Sequence, residues 1–137
     1  MHDPTVQATA MNKLIALLLL ITGIIHLLPL AGVLGGERLN ALYGLALDEP
    51  NLQILMRHRA VLFGLLGALL VAAAFIPGLR TLALLGGLLS VISFLLLAWS
   101  APLYNEALRR VVVADWVALA CLLLALPLHL RLSADGH

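Results

Sequence analysis

KLIALLLLITGIIHLLPL, residues 13–30, decides the fold. Between Lys13 at its head and His26 near its end, Thr22 is the only polar side chain. A helix needs about 20 mostly apolar residues, within a range of roughly 17–25, to cross the hydrocarbon core. This run meets that length and can extend toward Leu34. Three more runs meet it further along: about 55–76, with its apolar body from Ala60 to Ile76 and a polar lead-in from Leu52; about 81–101; and about 111–130. Leu and Ala dominate all of them, which favours helix, and none alternates apolar with polar residues as barrel strands do. The sequence therefore predicts an all-α polytopic membrane protein, a bundle of four transmembrane helices.

Composition points the same way. Hydrophobic residues make up 63% of the chain and charged residues 11%, against roughly 45–50% and 25% in soluble domains. A chain of 137 residues has too little interior to hide that apolar surface from water. The net charge of +1, without a basic run, gives no footing for nucleic acid. Cys121 is the single cysteine, so no intrachain disulfide can form, and within its apolar run it reads as a small packing residue.

The punctuation fits four spans in one domain, residues 13–131. Pro29 with Gly32, Gly35 and Gly36 ends the first, Pro77-Gly78 reverses the chain between the second and third, and Pro102 opens the connection to the fourth. Residues 1–12 and 132–137 read as flexible ends. A secretory signal peptide is the rival reading of the first run, with Lys13 as its charged head; the run is long for that and no A-x-A site follows. Four spans place both termini and the 77–81 turn on one side, here side A, and the 31–56 and 101–110 connections on side B. Lys13, Arg80 and Arg131 fall on side A. Arg38, Arg109 and Arg110 fall on side B, joined by Arg57 and Arg59 if those lie outside the bilayer. The positive-inside rule gives a tie, or a lean to side B inside.

Ionisable groups at membrane depth are costly and mark candidate sites. His26, the Arg57-His58-Arg59 run and Asp115 all fall near side B, at the level of Trp99 and Tyr104. Residues three or four apart share a helical face. By that phase Arg57, Ala60, Gly64, Gly67, Ala68 and Val71 form a small-residue stripe, which turns Arg57 into the bundle, with His58 and Arg59 roughly 100° and 200° away. The corresponding stripes are Ala16, Leu19, Gly23 and His26 on the first helix, and Gly86, Ser90, Ser93 and Leu97 on the third. On the fourth they are Ala114, Ala118, Cys121 and Ala125, with Asp115 at the border. An embedded Asp needs a partner, so Asp115 is expected to pair with Arg57 or Arg59, near His26. The candidate ligand-binding set is His26, Tyr43, Arg57, Arg59, Tyr104 and Asp115, capped by the 31–56 connection with its Asp48-Glu49-Pro50-Asn51 segment. Simpler roles stand beside each: a packing histidine hydrogen-bonded to Thr22 or a neighbour, snorkelling arginines, a structural ion pair, interfacial aromatics. No helix carries an H-x-x-E or H-x-x-x-H pair, and no cofactor motif is present, so neither metal nor cofactor is expected.

The runs HLLPLAGVLGGERLNALYGLALDEPNLQILMRHRAVLFGLLGALL (26–70) and YNEALRRVVVADWVAL (104–119) resemble a group of short bacterial four-helix membrane proteins. The resemblance covers Met11 to Leu132 and implies a multi-pass protein of a bacterial cytoplasmic (inner) membrane. Members of that group often carry the name phosphopantetheine adenylyltransferase. Such transferases are soluble, with a (T/H)-x-G-H motif on a Rossmann-like fold. Here only Thr22-Gly23-Ile24-Ile25-His26 approaches it, with different spacing and within a spanning helix, so nucleotidyl transfer does not fit. The group is also distantly similar to DoxX-like and EXPERA-type membrane proteins, four-helix chains with a polar pocket opening to one side. Some of the latter bind or isomerise sterols with buried acids; Asp115 is the one candidate acid at depth here. The expected function is binding of a small amphipathic or lipid-like ligand in a side-B vestibule. The expected partners are membrane lipids, with a homodimer or a larger membrane complex open. Two rival readings are an accessory subunit of a membrane complex and a small proton-coupled transporter using Asp115.

Overall fold

The computed structural model describes residues 3–46 and 48–136. Its helices run α1 (Pro4–Leu27), α2 (Gly36–Tyr43), α3 (Pro50–Phe75), α4 (Arg80–Ser100) and α5 (Glu106–Asp135), with 3-10 stretches at Leu28–Leu34 and Pro77–Leu79. No strand occurs among the described residues. Four segments, built around α1, α3, α4 and α5, are long and apolar enough to cross a membrane, as an integral multi-pass protein requires. The long helices form a ring: α1 packs on α3 and α5, and α4 packs on the same two. The short α2 lies across the side-B end.

Side-chain oxygens cap the starts of α1, α3 and α5. Asp3 caps α1, accepting from the Thr5 N–H at 2.9 Å and the Thr5 hydroxyl at 2.7 Å, with Pro4 in the first turn. Glu49 caps α3 by accepting from the N–H groups of Asn51 (3.1 Å) and Leu52 (2.8 Å), and Asn105 caps α5 through the Leu108 N–H (2.8 Å). Each cap satisfies N–H groups that have no partner within the helix. The ends that the sequence leaves as flexible are largely helical. Residues 4–12 are helical because Asp3-Pro4 starts α1 early. Residues 132–135 belong to α5, which runs on through Pro127. Met1, His2 and His137 lie outside the described residues.

In lipid, helices gain little from hydrophobicity against one another, so they associate where backbones can approach. Gly23 of α1 and Gly67 of α3 meet in this way: a Cβ on Gly67 would lie 3.0 Å from the Gly23 carbonyl oxygen, and one on Gly23 2.7 Å from a Val71 methyl. The α5 face of Ala118, Cys121 and Ala125 is buried as expected. On α4 the expectation fails. Ser93 and Leu97 face outward, and the packed face is Ala83, Leu84, Gly87, Val91 and Leu95. Ser93 satisfies its own hydroxyl on the Ser90 carbonyl at 3.0 Å, so it needs no neighbouring helix.

Arg80 takes part in the side-A end of this packing. Its buried guanidinium donates from Nη1 to Asn12 Oδ1 (2.7 Å), from Nε to the Ala73 carbonyl (3.3 Å) and from Nη2 to the Ala74 carbonyl (3.5 Å). A cation is favourable at a helix C-terminus, where carbonyls lack intrahelical partners. Arg80 thereby ties α4 to the end of α3 and to the side-A part of α1. Beside it, Thr81 and His129 share a hydrogen bond of 2.9 Å between α4 and α5. On the outer surface between α4 and α5, Trp99 and Trp116 flank a shallow apolar groove with Ile92, Leu96 and Leu119.

Candidate functional site: a polar chamber at the side-B end

His26 sits in the last turn of α1 and is 1% exposed. Its Nδ1 lies 2.9 Å from the Thr22 carbonyl oxygen. A carbonyl only accepts, so Nδ1 carries the proton, and in the neutral ring Nε2 presents a lone pair. The Thr22 hydroxyl is occupied, donating to the Leu18 carbonyl at 2.9 Å. The imidazole stacks on Phe63 of α3, with ring centres 5.6 Å apart and 18° between planes. Nε2 is buried and has no hydrogen-bond partner among the described residues.

One turn before Phe63, Arg59 turns to the same side of α3. Its guanidinium carbon lies 4.4 Å from the centre of Phe63, 5.5 Å from that of Tyr43 and 5.9 Å from that of Phe94, and Nη1 donates to the Tyr43 hydroxyl. Tyr43 is the last residue of α2 and is buried. Its position is fixed from behind. Gly44 ends α2 with φ of 62°, a left-handed conformation that favours glycine. Asn105 Nδ2 then donates to the Tyr43 carbonyl at 2.7 Å, while its Oδ1 caps α5. One asparagine thus couples α2 to the start of α5, the helix that carries Asp115.

These side chains border two adjoining spaces. An inner cavity of about 230 Å³ is lined by His26, Tyr43, Arg59, Phe63, Arg110 and Asp115, with apolar walls including Ile25, Leu42 and Val111. An outer cavity of about 520 Å³, between α3, α4 and the connection to α5, is lined by Tyr43, Arg59, Phe94, Leu97, Leu103 and Tyr104 among others. Tyr43 and Arg59 line both. Donors (Arg59, Tyr43) and acceptors (His26 Nε2, the Asp115 carboxyl) meet in the inner cavity, while carbon lines most of the outer one. Among the described residues no three His, Cys, Asp or Glu side chains gather as metal ligands.

Of the residues singled out in the sequence, His26, Tyr43, Arg59 and Asp115 come together in the inner cavity, and Tyr104 lines the outer one. Arg57 does not join them: it is exposed and donates from Nε to the Val33 carbonyl at 2.9 Å. The stripe Ala60, Gly64, Gly67 does face a neighbour, but the 3-10 stretch covers it near side B. A Cβ on Gly64 would lie 2.6 Å from Leu30. Two turns earlier, Arg57 therefore meets backbone at the rim and not the bundle interior.

The expected ion pair also fails. Among the described residues the one ion pair is the exposed Arg109–Glu106 contact at 3.1 Å, and neither Arg57 nor Arg59 contacts Asp115. The Arg59 guanidinium is engaged by three rings, one of them Tyr43, whose hydroxyl it also hydrogen-bonds, so it shares the cavity with Asp115 without closing on it. In the capping connection Tyr43 covers the chamber. Glu49 and Asn51 instead serve the start of α3, and Asp48 is exposed. Outside the membrane-spanning segments, Glu49 is held below the ordinary carboxylate value, first by the Asn51 N–H and then by that of Leu52; Asp3 is held low first by the Thr5 hydroxyl.

Sequence reasoning missed Phe63, Phe94, Asn105 and Arg110. Arg59 and Phe63 are four apart, a spacing that puts a cation beside a ring on one face, so that signal was available. Phe94 and Asn105 come from other elements, and nothing local marks them. No family model, no curated protein and no solved structure matches this chain.

Proposed function

We propose that this chain binds a small amphipathic, lipid-like molecule, its polar head in the inner cavity and its apolar part in the outer one. One observation carries the reading: four polar side chains from α1, α2, α3 and α5 converge on a cavity that adjoins a larger apolar one. Ligand sites are typically apolar clefts with a few convergent polar groups, and intramembrane ionisable residues mark function by default. Arg59 takes the head-binding role expected of Arg57. The bacterial membrane proteins that the sequence resembles support placement in a cytoplasmic membrane.

An accessory subunit would leave small-residue faces open for its partner. Here Gly23, Gly67, Ala118 and Ala125 are spent inside the bundle, which favours the binding reading. A proton-coupled transporter would hold its carboxylate near the midplane, and Asp115 stands near one end.

Native mass spectrometry of protein extracted in mild detergent tests the proposal. The expected result is a reproducible bound mass that is lost in Arg59→Ala and Asp115→Ala and kept in Arg57→Ala. A wild-type chain that emerges bare, or a bound mass indifferent to Arg59 and Asp115, overturns it.

A further inference from the structure

We infer that the inner cavity selects a neutral head that donates a hydrogen bond, a hydroxyl on a single-chain lipid being the simplest, with His26 Nε2 as its acceptor. The inference rests on the binding reading above and deepens it. Nδ1 of His26 is committed to the Thr22 carbonyl, so Nε2 can only accept. It is buried and finds no donor among the described residues, and its ring belongs to a residue of the cavity wall. An acceptor left unmet in a buried site costs free energy that a ligand donor recovers.

The neighbours narrow the head further. A deprotonated phosphate or carboxylate has no hydrogen for Nε2 and brings a second negative group to the cavity of Asp115. An ammonium brings a second cation beside Arg59, with Arg110 on the same wall. A hydroxyl can donate to Nε2 and keeps lone pairs for a donor such as Arg59 or Tyr43, which line the same cavity. Size agrees: at about 230 Å³ the inner cavity is below the roughly 300–1,000 Å³ that encloses a drug-sized ligand whole. It receives a head and little more. The chain is expected to lie in the outer cavity, which shares Arg59 and Tyr43 with the inner one and where Leu97 and Leu103 are largely exposed.

Three probes of one chain length test the head: 1-dodecanol, dodecyl methyl ether and dodecyl phosphate, each offered to delipidated wild-type protein and read by native mass spectrometry. The alcohol is expected to be retained about ten-fold over the ether, the size of one buried hydrogen bond left unmade, and over the phosphate by at least as much. His26→Phe keeps a ring against Phe63 but removes Nε2, and is expected to erase the alcohol-over-ether preference while ether uptake persists. If the ether binds wild type as well as the alcohol does, or the phosphate binds better, the head assignment falls and the binding reading stands. Uptake of none of the three overturns the head assignment too, and the extraction experiment then judges the binding reading separately. The wild-type comparison decides the matter even if His26→Phe does not fold.

Discussion

Asp115 is a buried carboxyl that no guanidinium touches, and this governs its response to substitution. Breaking a closed buried ion pair costs about 3–5 kcal/mol, because an uncompensated charge stays behind. Asp115→Asn breaks no such contact, so the expected stability change is within about 1 kcal/mol, well under that range; denaturant titration in detergent measures it. Likewise Arg57→Asp is not expected to rescue Asp115→Arg, since Arg57 lies at the rim. Glu49 and Asp3 behave differently. Their carboxyls sit below their ordinary values, so they stabilise the first turns of α3 and α1 at any pH above the unfolded-state value. That contribution is lost as pH falls through the folded values. Amide protection at Asn51, Leu52 and Thr5 is expected to be flat near neutrality and to decline once the pH drops below the ordinary values of 4.5 for Glu49 and 3.8 for Asp3; NMR exchange across an acid titration reads this directly. Helical phase found Arg57 and Arg59 pointing apart but assigned their roles in reverse. Phase gives relative angles, and which angle is interior depends on the 3-10 stretch that covers the Arg57 face.

Helix pairs are held by contact and by a few polar ties, and the two kinds of tie predict different losses. A methyl at Gly67 would crowd the Gly23 carbonyl and Leu27, so Gly67→Ala is expected to cost about 1–3 kcal/mol, the range for overpacking. Gly78, in the α3–α4 turn, has nothing within 4 Å of a would-be Cβ; Gly78→Ala is expected to be neutral or slightly stabilising, by up to about 1 kcal/mol. Unfolding of the two variants side by side checks the contrast. Arg80→Met keeps bulk but removes the donors to Asn12, Ala73 and Ala74; it is expected to cost about 1.5–3 kcal/mol, the worth of a hydrogen bond from a charged group. Hydrogen exchange at 70–76 would rise with it. The long helices were legible because length and hydropathy alone identify a span. The packed face of α4 was not. In lipid an outward Leu and an inward Leu look alike, so only the glycine at 87, close to Leu122 and Leu70, distinguishes the inner side.

For the whole molecule, the two ends of the bundle carry different work. Side A is tied together by Arg80 and by the Thr81–His129 bond, and side B holds the chamber. This division changes the charge count that left orientation tied. Arg80 is buried against carbonyls and no longer serves as a topological charge, while Arg38, Arg57, Arg109 and Arg110 are exposed at side B. Lys13 and Arg131 remain on side A. By the positive-inside rule, side B is then expected to face the cytoplasm. A reporter fused after His137 is expected to behave as external, with a phosphatase active and a fluorescent protein dark; the opposite pattern reverses the orientation. The four-span architecture could be read from the sequence because every residue in a span answers to the same solvent. The chamber was legible only in part, because its aromatic walls and its asparagine brace come from separate helices.

The chain's two tryptophans share the outer groove between α4 and α5, away from the chamber wall. Its intrinsic fluorescence therefore answers to the surrounding lipid. Brominated acyl chains would quench it according to how deeply the side-B end sits, and occupancy of the chamber would leave it nearly unchanged. The protein carries its own depth gauge, one whose reading stays separate from whatever its pocket holds.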